Sequence, residues 1–170
     1  AYSTSVIGGS GYFDGSGDYL QTPNNAAFTY GTGDFTIECW AYWNSITNGT
    51  GFLAGQANGA MDFSYYTNNL AIGRINTAWD SAVTWNPTVG QWYHMAVTRS
   101  SGSVRFFVNG VQIGSTLSNS ISYSQNGGVG NIGLAVTPAD RNHNGYLCDV
   151  RAIKGTALYT SAFTLPTAPL

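Results

Sequence analysis

Charged side chains are scarce in this 170-residue chain: six Lys and Arg against eight Asp and Glu, 8% in all, where about a quarter is usual. The net charge of −2 and the absence of any cationic cluster leave no stripe that could neutralise a phosphate backbone, which argues against a nucleic-acid partner. No apolar run approaches the length of a membrane-spanning helix, so membrane insertion is not expected. The opening AYSTSVIGGSG has neither the basic start nor the apolar centre of a secretion signal, and a mature module, or one cut from a longer chain, is expected. Two cysteines, Cys39 and Cys148, are isolated, and with His94 and His143 they complete no zinc spacing. Glutamate occurs once, at Glu38. A glycoside hydrolase needs two carboxylates flanking the scissile bond, and no second acid alternates with Glu38 along one strand. Neither histidine stands near a Gly-x-Ser-x-Gly turn. The chain therefore reads as a non-enzyme.

Glycine is abundant at 22 residues, hydrophobic residues reach 43% and aromatics 14%, so disorder and coiled coil are excluded. Glycine and proline interrupt the chain too often for helices. Short segments rich in Val, Ile, Thr, Tyr, Phe and Trp fill the intervals, which suits a pleated surface buried on one side. Val104–Val108, then Asn109-Gly110, then Val111–Ile113 predicts a hairpin closed by a type I′ turn. A second turn at Ser100-Ser101-Gly102 links it to a strand over 95–99. Further strands are expected over 11–13, 19–22, 35–43, 51–56, 61–66, 69–75, 130–136 and 145–154. A single all-β domain over 1–170, a two-sheet antiparallel jelly-roll sandwich, is the fold predicted. The proline-bearing segment 155–170 is expected to lie along the surface as a tail.

Four stretches occur in order: Phe13-Asp14-Gly15-Ser16-Gly17-Asp18-Tyr19-Leu20, Gly33-Asp34-Phe35-Thr36-Ile37-Glu38-Cys39-Trp40, Gly90-Gln91-Trp92-Tyr93-His94-Met95-Ala96-Val97-Thr98-Arg99, and Gly145-Tyr146-Leu147-Cys148-Asp149-Val150-Arg151. Together they resemble the laminin G-like, concanavalin A-like lectin/glucanase modules. The closing run Arg151–Phe163 is similar to the version found in structural proteins of tailed bacteriophages, notably marine ones, which implies a virion protein. Where that family has Asp-Asp before Val-Arg, this chain has Cys148-Asp149. The resemblance also implies bound Ca²⁺ held by Asp side chains and loop carbonyls. Asp18 and Asp149 are the first candidate ligands and Asp14 the next, although Asp14-Gly15 and Gly17-Asp18 equally read as turns whose side chains cap their own backbone.

Along 35–43, Phe35, Ile37, Cys39, Ala41 and Trp43 share one face and Thr36, Glu38, Trp40 and Tyr42 the other. Neither face is polar throughout, so this strand is central. A lone carboxylate there needs a partner, and Arg151, which the family places in the same sheet, is the expected one. For the two cysteines, buried free thiols and a bridge across the sheet both stay open.

Specificity on such a sandwich sits in loops, and three are long: 44–50, 76–86 and 137–144. A sugar needs an aromatic ring beneath its C–H face and hydrogen-bonding groups around its hydroxyls. Trp79 with Asp80, and the run Asp140, Arg141, Asn142 and His143, supply that combination as candidate ligand-binding residues. A plain polar turn with Trp79 packed on the sheet is the alternative. Asn48-Gly49-Thr50 matches a glycosylation acceptor, which would be idle in a phage protein. The function expected is glycan binding on a virion surface or outside the cell, and the rival is a structural module contacting other virion proteins.

Overall fold

The computed structural model describes residues 8–46, 49–77, 79–135 and 141–169. The first of two six-stranded antiparallel sheets runs β1 (Gly11–Asp14), β14 (Asn144–Lys154), β3 (Phe35–Ser45), β8 (Trp92–Ser100), β9 (Ser103–Val108) and β10 (Val111–Ser118). The second runs β2 (Leu20–Thr22), β11 (Gly130–Ile132), β4 (Thr50–Gly55), β5 (Met61–Tyr66), β6 (Asn69–Arg74) and β7 (Trp79–Thr84). A short ladder of β12 (Leu134–Ala135) with β13 (Arg141–Asn142) lies against β4. The only helical piece among the described residues is a 3-10 turn at Ala26–Phe28. This is the jelly-roll sandwich predicted from the sequence.

Alternation decides what fills the sandwich. Phe35, Ile37, Cys39, Ala41 and Trp43 of β3 enter the core with Phe63, Leu70, Ile72 and Val97 from neighbouring strands. The 108–111 hairpin closes as predicted, with Asn109 at φ 50° and Gly110 at φ 78°, both in the region a type I′ turn requires. Cys39 lies in this core. Cys148 pairs across β14–β3 with Trp40 and clusters with it on the opposite face. Neither cysteine forms a disulfide, because a bridge would have to pass through the sheet.

Two segments read as loops are strands. Trp79 and Asp80 begin β7, which pairs with β6; Ser81 and Val83 turn inward, and a polar Ser81 on the inward side with an apolar Ala82 between them hides that alternation. Arg141 and Asn142 form β13 against β12. Asp140 lies outside the described residues. Strand β10 also runs on to Ser118 past a bulge between Ile113 and Leu117.

Candidate functional site

The outer face of the first sheet carries a row of four aromatic rings. Tyr12 of β1 pairs with Tyr146 of β14, Tyr146 with Tyr42 of β3, and Tyr42 with Trp92 of β8. Partners in register point to the same face, so the rings form a line across four strands. Centroids are 5.2 Å apart for Tyr12–Tyr146, 5.8 Å for Tyr146–Tyr42 and 5.5 Å for Tyr42–Trp92. At about 4.8 Å between strands the row is roughly 14 Å long. Tyr12 is 57% exposed, and the other three are half-buried. Gly145 makes the alignment feasible: a Cβ there would lie 1.9 Å from the Tyr42 carbonyl oxygen.

A buried relay beneath the row positions Tyr146. The Trp43 indole N–H donates to Thr50 Oγ1 at 2.9 Å. The Thr50 hydroxyl meets His143 Nδ1 at 3.1 Å, and His143 Nε2 meets the Tyr146 carbonyl at 3.2 Å. A carbonyl can only accept, so Nε2 carries the proton and Nδ1 accepts from Thr50. Burial lowers the His143 pKa from its ordinary 6.5 to about 4, so the ring is neutral at pH 7. His143 is fully buried and acts through the backbone of Tyr146; it is not the rim contact expected from the sequence.

One flank of the row is polar. Asn144 Nδ2 donates to the Asp14 carbonyl at 3.0 Å, and exposed Asn44, two residues beyond Tyr42 on β3, shares its face. The other flank is closed by Trp40, Cys148 and Leu165. Beyond it the 155–169 segment straps the sheet. Thr36 Oγ1 donates to the Thr156 carbonyl at 2.9 Å and accepts from Leu158 N–H at 2.8 Å, and Phe163 stacks on Tyr159 at 3.5 Å.

Under that strap Glu38 is fully buried. Arg151 Nε donates to Oε1 at 2.8 Å, Tyr159 O–H to Oε2 at 2.8 Å, and His94 Nε2 lies 3.1 Å from Oε2. The partner expected for Glu38 is the one found. Burial pushes the carboxyl up, but the bonds from His94, Arg151 and Tyr159 outweigh it and hold the pKa below the usual value. An ionised carboxylate so enclosed is a structural anchor.

The other sequence candidates are placed as follows. Arg141 is fully buried on the outer side of the second sheet, its Nη2 donating to Asp62 Oδ2 at 2.6 Å, its guanidinium 5.4 Å from the Tyr66 ring centre and 5.1 Å from that of Trp79. A buried guanidinium cannot meet a ligand from solvent, so Arg141 is scaffold, contrary to expectation. Trp79 is half-buried against it. Asp80 accepts two bonds at 2.9 Å from Arg74. Asn142 Oδ1 accepts from Gly17 N–H at 3.1 Å.

The calcium ligands do not assemble. Asp18 Oδ2 accepts from Asp14 N–H at 3.1 Å, and Asp14 Oδ1 from Ser16 N–H at 2.7 Å: these are turn caps. Asp14 faces Asn144, while Asp149 lies beyond Leu147, which faces Gly11. At about 3.4 Å per residue, Asp149 is roughly 17 Å along β14 from the Asp14 level, so Asp18 and Asp149 cannot share one ion. No group of three His, Cys, Asp or Glu suited to a metal occurs among the described residues. The residues present do not fit calcium as that pair would hold it.

The two-sheet antiparallel sandwich is that of lectin-like domains. This chain belongs to the concanavalin A-like lectin/glucanases superfamily through the Laminin_G_3 model, which matches residues 14–159. Among solved structures it is similar to a candidate carbohydrate-binding protein of Bacteroides ovatus (TM-score 0.64, 18% identity, 91% of this chain and 44% of that one). It is also similar to domain 4 of the GH43 extracellular arabinanase AbnA of Geobacillus stearothermophilus, solved with arabinotriose (0.66, 18%, 92% and 76%). A third similarity is to the LG4-5 domains of the mouse laminin α1 chain (0.61, 17%, 95% and 46%). The chain spans less than half the length of the first and third. No curated protein sequence matches it.

Proposed function

We propose that the chain is a non-catalytic carbohydrate-binding module whose ligand lies on the Tyr12–Tyr146–Tyr42–Trp92 row. The observation that carries this reading is the row itself: four half-open rings in line, beside a polar amide and carboxylate edge. Apolar C–H faces of pyranose or furanose rings stack on such surfaces, and phenol and amide groups reach the hydroxyls around them. The similarity to a domain solved with arabinotriose supports the same reading. Binding on an open face is weak per site, in the millimolar to micromolar range, roughly 4–8 kcal/mol, and gains strength from multiple copies. Such copies are supplied by a virion surface, and the phage-like closing run Arg151–Phe163 supports that location.

The test is calorimetric titration with oligosaccharides, monitored in parallel by tryptophan fluorescence. Tyr42→Ala with Trp92→Ala should weaken binding about tenfold or more, since each ring contributes roughly 0.5–1.5 kcal/mol of stacking. Unchanged affinity in that variant, or a flat response of the wild type across a broad panel together with a stoichiometric contact to another virion protein, would favour the structural rival. Decoration of intact particles by an antibody raised against the domain checks the location.

A further inference from the structure

We infer that the glycan taken by the aromatic row is uncharged; this rests on the carbohydrate-binding reading above and narrows it to a substrate class. All six Lys and Arg fall among the described residues, and four are committed internally. Arg74 is bonded through Nε and Nη2 to Asp80, Arg141 to Asp62 and Arg151 to Glu38. Arg99 is fully buried and donates to the carbonyls of Gly31, Gly33 and Ile121 at 2.6–2.9 Å.

The two that remain are far from the row. Arg105 stands opposite Thr98, six residues along β8 from Trp92, and Lys154 opposite Phe35, seven along β3 from Tyr42. At about 3.4 Å per residue these are roughly 20 and 24 Å away, beyond the Debye length of about 8 Å at physiological ionic strength. Arg151 is held at Glu38, four residues along β3 from Tyr42, and the charges next to the row are acidic. Asp14 is two residues from Tyr12 on the same exposed strand, and Asp18 is bonded to its backbone. A sulfate, phosphate or uronate on the ligand would meet no cation there and two carboxylates, whereas hydroxyls meet Asn44 and the tyrosine phenols.

The experiment titrates the intact chain with neutral polysaccharides and with charged counterparts, dextran against dextran sulfate and arabinan and galactan against alginate and carrageenan, in low and high salt. Binding of a neutral member, changing less than about twofold between 50 and 500 mM NaCl, with charged members at least tenfold weaker, is the result expected. Adding Asn44→Lys should then create affinity for the sulfated polymer that fades with salt. Preference of the wild type for a charged member, falling steeply with salt, would overturn the inference and leave carbohydrate binding standing. Binding of no member by the wild type would overturn both.

Discussion

Tyr42 and Tyr146 face each other across the β3–β14 ladder with ring centroids 5.8 Å apart, and their neighbour Gly145 is packed against the Tyr42 carbonyl too closely for any side chain. The ring row depends on that close approach. It is a property of two strands more than a hundred residues apart in the chain.

Gly145→Ala places a methyl 1.9 Å from backbone oxygen, which only a shift of β14 can relieve. We expect a loss of about 2–4 kcal/mol in urea unfolding and weaker glycan binding even in the folded fraction, because Tyr146 leaves the line. Unchanged stability and affinity would contradict the packing described.

Arg141→Ala should destabilise the domain by about 3–5 kcal/mol, because Asp62 would be left buried and unpaired. The double variant Asp62→Asn with Arg141→Met should recover most of that loss. Denaturant midpoints of the two variants and the wild type check this, and an Arg141→Ala variant as stable as wild type would mean that Arg141 is not structural.

Glu38→Gln removes the charge that Arg151, His94 and Tyr159 surround. Arg151 is one-third exposed and can rehydrate, so the cost is put at about 2–3 kcal/mol, below that of a fully buried pair. Hydrogen exchange at Leu158 and Phe163 should rise as the strap loosens. A variant with native exchange at those amides would detach the strap from the anchor.

Acid should unfold the domain in two stages. The folded pKa of His143 lies near 4 and its unfolded value near 6.5. The neutral form is therefore favoured by folding, and stability complete above pH 6.5 declines as pH falls toward 4, by about 3 kcal/mol at most. Glu38 is held ionised below its ordinary 4.5, so its contribution is present above that value and is lost below it. Urea midpoints between pH 7 and 3.5 measure both stages, and His143→Gln should flatten the first. A profile level from 6.5 to 4.5 in the wild type would refute the buried neutral relay.

Local chemistry was sufficient for the fold. Alternating apolar residues, the Asn109-Gly110 turn and the inward face of β3 are set by near neighbours in the chain and are legible without the fold. The Glu38–Arg151 pair was legible because a lone carboxylate on a central strand needs a cation and the family resemblance placed Arg151 in the same sheet. The fate of the loop candidates was not legible. Trp79 and Asp80 entered a strand because Ser81 and Val83 alternate inward, a period masked by the polar inward Ser81 and the apolar Ala82 between them. Arg141 and His143 became interior groups because Asp62 and Thr50, remote in sequence, were there to satisfy them. The aromatic row arose the same way: Tyr12, Tyr42, Trp92 and Tyr146 are spread over the whole chain, and only the register of three ladders, which depends on long-range pairing and a bulge at Gly145, brought them into line.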